Sequence, residues 1–344
     1  MEKTVLVTGG TGYVGAWIVK QLLDKGYTVR LSVRNKNASS KIEPLRQVAL
    51  TSKGKLELCE ANLLEAGSFD HAAEGCSAIM HVASPFTLRF KDAQKDLIDP
   101  AIEGTRNVLN AASKSKTVKK VVLTSSVAAI HGDTIDMQEQ GLSEFNEEQF
   151  NTSSSLKHQP YSFSKVSAEK EAWKIHDAQS DWKLVVINPS FVMGPSLSET
   201  SNSESLSFMK DILSGKFAMG APDIMFGFVD VRDVATAHLL ALENEKAEGR
   251  HLLAESTINV LEYIDLIRKN YEGKFKLPTS HSPKIILYAL GWLFGLKFNF
   301  IKRNVGYTLK LNASKSKEEL GLSYTPLETT VVDMVEQMLE KKII

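Results

Sequence analysis

The stretch Val5-Leu6-Val7-Thr8-Gly9-Gly10-Thr11-Gly12-Tyr13-Val14-Gly15 decides the fold. A short apolar run passes directly into glycines at 9, 12 and 15, and residues 16–25 then pattern as a helix that stops at Gly26. Glycines here let the chain turn sharply out of a strand and approach a pyrophosphate. They also let the next helix pack close to that strand, with the anion on the helix N-terminus. A glycine-rich turn is common in isolation; a strand before it and a helix after it make it informative. The stretch predicts a dinucleotide-binding turn.

Working outward, residues 28–33, 78–82, 121–124 and 184–187 read as further buried strands, separated by helical patterns such as residues 96–113. Strand–helix alternation with apolar strands predicts an α/β fold, a doubly wound parallel sheet covered on both faces. After Pro189 the alternation loosens. Residues 196–207 are Ser/Glu-rich and read as a mobile loop, while 231–242, 261–271 and 285–296 read as helices. The expected organisation is a Rossmann domain over 1–190, to which a strand and helix at 226–245 return, and a smaller, mainly helical substrate lobe in the rest of 191–344. The run 285–296 is 12 residues long, short of the roughly 17–25 a bilayer span needs. With Trp292, Leu293 and Phe294 consecutive it is apolar on more than one side, which favours a buried helix of the second lobe; a substrate lid, a dimer face or an amphipathic surface that meets membrane are the alternatives.

The 344 residues carry 41 Lys+Arg against 41 Asp+Glu, so the charge is balanced and the basic footprint of a nucleic-acid protein is missing. A hydrophobic fraction of 43% supports a large core. Two cysteines, Cys59 and Cys76, make neither a disulfide framework nor a Cys-rich zinc site and suit a reducing compartment. The histidines show no paired metal-ligand spacing, so no metal is expected. No secretion signal or transmembrane span is read, and a cytoplasmic protein, monomeric or homodimeric, is expected.

The residues after the second strand bear on the cofactor. An NAD site places an acid there to bond the ribose 2′-hydroxyl. Here Ser32-Val33-Arg34-Asn35-Lys36 offers Arg34 instead, whose guanidinium matches a 2′-phosphate, with Lys41 or Arg46 as a second charge. NADP(H) is therefore favoured. Tyr161-Ser162-Phe163-Ser164-Lys165 sets a phenol and an ammonium on one helix face, and a nearby cation favours phenolate. Such a tyrosine can protonate a carbonyl oxygen as hydride reaches the carbon. Thr124-Ser125-Ser126 ends a strand at the edge where open sheets bind ligands, so either serine is placed to hold that oxygen.

Together VTGGTGYVG (7–15), VRN (33–35), HVASP (81–85), TSS (124–126), YSFSKVSAE (161–169), INPSFVMGP (187–195) and FVDVRDVA (228–235) resemble the extended short-chain dehydrogenase/reductase family, in its dihydroflavonol 4-reductase and aldehyde/ketone reductase branch. The resemblance implies a catalytic triad of Ser125, Tyr161 and Lys165. It implies an NADP site of Gly9, Thr11, Gly12, Tyr13, Val14, Arg34, Lys41, Asn62, Leu63, Val82, Ala83, Ser84, Tyr161, Lys165, Pro189 and Val192. Family members carry Asp-Leu where this chain has Asn62-Leu63.

Related dehydratases place an acidic pair after the catalytic Ser/Thr, where this chain has Ser126-Val127-Ala128. The Val-Tyr-Gly of epimerases is replaced by Ile130-His131-Gly132, and the Asn-Trp-Tyr-Cys-Tyr-Gly-Lys block of cinnamoyl-CoA reductases by Gln159-Pro160-Tyr161-Ser162-Phe163-Ser164-Lys165. The expected activity is NADPH-dependent reduction of a small-molecule aldehyde or ketone to an alcohol. Phe86, His131, Phe191 and Phe228 are expected to wall the substrate pocket. The competing readings are a sugar-nucleotide epimerase and a non-catalytic NADP sensor.

Overall fold

The computed structural model describes residues 3–84, 90–197 and 203–344. Seven parallel strands form the main sheet: β1 (Thr4–Thr8), β2 (Thr28–Val33), β3 (Lys55–Glu60), β4 (Ala78–His81), β5 (Lys120–Thr124), β6 (Lys183–Pro189) and a late strand, Gly249–Leu253, in the order β3-β2-β1-β4-β5-β6-late strand. The strand order reverses between β1 and β4, so a crevice opens beyond their carboxyl ends.

Alternation along the strands divides the core in two. Val5, Val7, Val29, Leu31 and Val185 face a layer containing Ile18, Leu22 and Leu23 of the Tyr13–Asp24 helix and Val234 and Ala237 of the Val231–Glu243 helix. Leu6, Ile79, Val121, Leu184 and Val186 face the other way, onto Val108 and Leu109 of the Asp99–Ser115 helix and Ala172 of the Pro160–Asp177 helix. Both faces are covered, as continuous apolar strands require.

β3 had no clear apolar signature because it is an edge strand: Lys55-Leu56-Glu57-Leu58-Cys59-Glu60 alternates, and none of its residues is fully buried. A second correction concerns the returning segment. The helix within 226–245 does pack against the Tyr13–Asp24 helix, but the strand Met225–Asp230 does not join the main sheet. It lies between Phe191–Met193 and Ser256–Asn259 in a separate three-stranded sheet, where Phe226 and Phe228 meet Phe191, and Phe228 meets Tyr263. The strand that closes the main sheet is Gly249–Leu253.

The lobe core gathers Met209, Ile212, Tyr263, Ile264, Ile267, Val331, Met334 and Val335 around that small sheet. The stretch read as a loop over 196–207 contains a helix start: Ser203 accepts a hydrogen bond from Leu206 N and caps the Glu204–Leu213 helix. The run 285–296 is not one buried helix. It breaks into Lys284–Leu290 and a single turn at Gly291–Phe294, and of the Lys284–Leu290 side chains only Leu287 is buried.

Candidate active site

A cavity of about 1420 Å³ follows the carboxyl ends of the main-sheet strands and continues under the small sheet. At the β1 end the wall is Gly9, Thr11, Gly12, Tyr13 and Val14. Gly9 has φ +70°, and a Cβ there would lie 2.7 Å from the Ala83 backbone, so only glycine lets the two turns meet. Thr8 Oγ1 fixes the same approach by accepting from Ala83 N at 3.1 Å. No side chain caps the helix that starts at Tyr13. Its first backbone N–H groups therefore stand at the cavity wall as an anion cradle, which fits a pyrophosphate. The Tyr13 hydroxyl donates to Gly194 O at 2.5 Å and ties the helix start to the substrate side.

Arg34 and Lys41 line the wall beyond β2, and Arg34 is exposed. Arg46 is not in the wall; it pairs with Glu43 at 3.8 Å. Asn62, Leu63, Val82, Ala83, Ser84, Pro189 and Val192 are all wall residues. The Asn62 side chain is occupied locally, donating to Glu65 Oε1 at 2.8 Å and accepting from Leu64 N at 3.2 Å, an Asx-type turn that shapes the loop. A cleft that runs from an uncapped helix start to the exposed Arg34 guanidinium suits an NADP-sized dianionic cofactor with a further phosphate.

Tyr161 and Lys165 stand one turn apart on the Pro160–Asp177 helix, with the Lys165 ammonium 5.8 Å from the phenol ring centre. Loss of water pushes Tyr161 up to about 12 against the pull of the nearby Ser126 hydroxyl, with Glu204 adding to the rise. The same dry setting brings Lys165 down to about 8, against the pull of Glu169. Tyr161 is thus held as a neutral phenol, the form that can donate a proton.

The two serines part company here. Ser125 is buried, and its hydroxyl donates to Glu169 Oε2. That carboxylate also accepts from Asn188 Nδ2 at 2.7 Å and from Arg250 Nε at 2.5 Å. Both serines border the cavity; the Ser126 hydroxyl accepts from Ala128 N at 3.1 Å and lies near enough to Tyr161 to influence its proton. Ser125, expected to hold the substrate oxygen, thus has its hydroxyl on Glu169 and ties the strand end to the helix that carries Tyr161.

On the substrate side Phe191, Phe208, Phe226 and Phe300 form an aromatic wall, with Thr134, Gln159 and Asn304 as its polar members. Phe228 is fully buried, covered by Tyr263 at 4.5 Å between ring centres and by Phe191 at 5.9 Å, so it is core and not pocket. Phe226, two residues earlier on the same strand, takes its place in the wall. Phe86 lies outside the described residues. His131 does line the cavity; it stacks on Phe145, and burial brings it down to about 4, so it is a neutral imidazole at pH 7. Among the described residues no cluster of His, Cys, Asp or Glu gathers as a metal ion would require.

Residues 5–254 match the profile described as the NAD dependent epimerase/dehydratase family. The cinnamoyl-CoA reductase CAD2 of Medicago truncatula is 37% identical, covering 99% of this chain and 97% of that protein. A bifunctional dihydroflavonol 4-reductase/flavanone 4-reductase of Malus domestica is 32% identical, over 81% of this chain and 79% of its own length. Among solved structures, Gre2 of Candida albicans in complex with NADPH superposes with a TM-score of 0.79 at 31% identity, covering 98% of this chain and 99% of that one.

Proposed function

This chain belongs to the NAD dependent epimerase/dehydratase family, in which it is an NADP(H)-dependent oxidoreductase acting on carbonyl groups, and we propose that Tyr161, Lys165 and Ser126 carry the reduction of an aldehyde or ketone to the alcohol. When bound, NADPH supplies the hydride. Ser126 holds the substrate oxygen beside the phenol, Tyr161 donates its proton to that oxygen, and the Lys165 ammonium steadies the phenolate left behind. Gly9, Gly12 and the start of the Tyr13–Asp24 helix take the pyrophosphate; Arg34, with Lys41, takes the 2′-phosphate. The observation that carries this reading is that Tyr161, Lys165 and Ser126 share one cavity wall with Gly9, Gly12 and Arg34, the Lys165 ammonium lying 5.8 Å from the phenol ring centre.

The free carbonyl is favoured over a coenzyme A thioester by the charge of the walls. Among the described wall residues the Lys and Arg side chains are Arg34, Lys41 and Lys165, at the cofactor and reaction centre. The far end offers Glu204 and Asp211 beside the phenylalanines, which suits an uncharged apolar substrate and not a polyphosphate. His131, neutral, acts as a positioning group for that substrate.

We assign residues 1–190, joined by 231–253, to cofactor binding and the remainder to the substrate. The free thiols of Cys59 and Cys76 are in keeping with a cytoplasmic protein. No described helix is long and apolar enough to cross a membrane.

The test is NADPH oxidation with a panel of aldehydes, ketones and sugar nucleotides, with Tyr161→Phe alongside. Turnover with aldehydes or ketones, lost by at least a hundredfold in Tyr161→Phe while NADPH still binds, is expected. NADPH binding without consumption of cofactor by any carbonyl would instead make the protein a sensor. Interconversion of sugar nucleotides with no net cofactor consumption would make it an epimerase.

A further inference from the structure

The run that reads as a buried helix is among the most exposed apolar surfaces of the molecule. Ile285 is 74% exposed, Trp292 71% and Phe298 66%, with Ile286 at 46% and Leu290 at 43%. Ile285 and Ala289, and Ile286 and Leu290, are four apart on the Lys284–Leu290 helix, so they form one stripe opposite the buried Leu287. Trp292 continues the stripe, and Phe298 lies against Tyr288 with ring centres 4.7 Å apart. An apolar patch of this kind on a folded protein marks a contact surface.

Its charge surroundings say what the contact is. From residue 273 to residue 317 the sequence holds nine Lys or Arg and no Asp or Glu, in a chain whose total charge is zero. Lys297 and Lys302 flank Phe298 and are exposed, and among the described residues neither is paired with a carboxylate. Arg303 is spent inward, on Asp133, Asp136 and Glu139. Large apolar side chains pointing outward, with long cationic chains at their margin, match an interface in which hydrocarbon lies below anionic headgroups.

We propose that this face, centred on Ile285, Leu290, Trp292 and Phe298 and rimmed by Lys297 and Lys302, docks the protein onto the surface of a bilayer containing anionic lipid. The seven-residue helix lies in the interface and does not span it. A second copy fits the face less well, because a two-fold contact would gather four like charges, Lys297 and Lys302 from each copy, around one apolar seam. The Phe298–Asn304 helix has Phe300 and Asn304 in the cavity wall and Phe298 and Lys302 outside, so docking sets the substrate side next to a reservoir of apolar carbonyls.

Co-sedimentation of the full chain with phosphatidylcholine vesicles, with and without phosphatidylserine, tests this. Binding is expected only when phosphatidylserine is present, and should weaken as salt rises. Neutralising each lysine is expected to cost roughly fivefold in partition, so the Lys297→Gln/Lys302→Gln double variant should fall by roughly twenty-fivefold. Trp292→Ser with Ile285→Ser should reduce binding at all salt concentrations. Circular dichroism and NADPH binding serve as controls for folding, since none of these residues lines the cavity. Equal binding to both vesicle types, absence of binding to either, or a concentration-dependent dimer abolished by Trp292→Ser would each overturn the proposal.

Discussion

Arg250 Nε donates to Glu169 Oε1 at 2.5 Å, and both side chains are almost wholly removed from solvent. The pair joins the helix that carries Tyr161 and Lys165 to the last strand of the main sheet. The other Glu169 oxygen holds Ser125 and Asn188, and the Arg250 guanidinium also donates to Glu147 O at 2.7 Å and Gln149 O at 2.5 Å. Removing one partner leaves the other as a buried, unpaired charge, which costs about 3–5 kcal/mol. Arg250→Met is therefore expected to lower the urea midpoint sharply, and Glu169→Gln in the same chain to restore part of the loss. An unchanged midpoint for Arg250→Met would show that the pair is not holding these elements.

The serines separate by the same geometry. Ser126→Ala removes the hydroxyl beside Tyr161 and is expected to lower kcat by about 10²–10³, the size of a lost oxyanion donor, with NADPH affinity kept. Ser125→Ala removes a bond to Glu169 and should show itself first in stability, by about 1–3 kcal/mol. Turnover and denaturant melts of both variants decide the matter; the reverse pattern would return the catalytic role to Ser125.

Much of this was legible in the sequence, for identifiable reasons. Continuous apolar strands and the glycine turn are local signals, and β1, β2, β4, β5 and β6 carry them. β3 hid because an edge strand alternates with Lys and Glu, and residues 285–296 misled because composition says apolar without saying which way a side chain faces. Telling Ser126 from Ser125 needed the position of Glu169, which lies 44 residues from Ser125 in the chain. Phe226 was within reach: strand alternation puts it on the same side as Phe228, nearer the rim. Phe300 and Asn304 had no local motif, since it is tertiary contact with Asp133 and Thr134 that seats their helix.

Arg34 is exposed at the end of β2, and the chain offers no acid at that position to bond a ribose hydroxyl. A charge-assisted bond to a 2′-phosphate is worth about 1.5–3 kcal/mol. Arg34→Ser should therefore lower kcat/KM for NADPH by about 10–100-fold and leave the value for NADH nearly unchanged. A fall of equal size with both cofactors would assign Arg34 to folding and not to cofactor choice.

Lys165 gives opposite pH signatures in catalysis and stability. In the folded protein burial brings its ammonium from 10.5 down to about 8. Below that pH the charge is present to favour phenolate at Tyr161; above it the charge is lost. The kcat/KM for NADPH, which reports the free enzyme, is thus expected to fall on an alkaline limb near pH 8. Stability runs the other way. Between about 8 and 10.5 the unfolded chain keeps the proton that the folded chain has released, so the unfolded state binds more protons and the stability contribution of Lys165 rises with pH. Tyr161, pushed up from 10 to about 12, works in the opposite sense only above pH 10. Urea melts from pH 8 to 10 should therefore show wild type gaining on Lys165→Met as pH rises, while its activity declines. A constant gap between the two proteins would mean that Lys165 keeps its ordinary proton affinity in the fold.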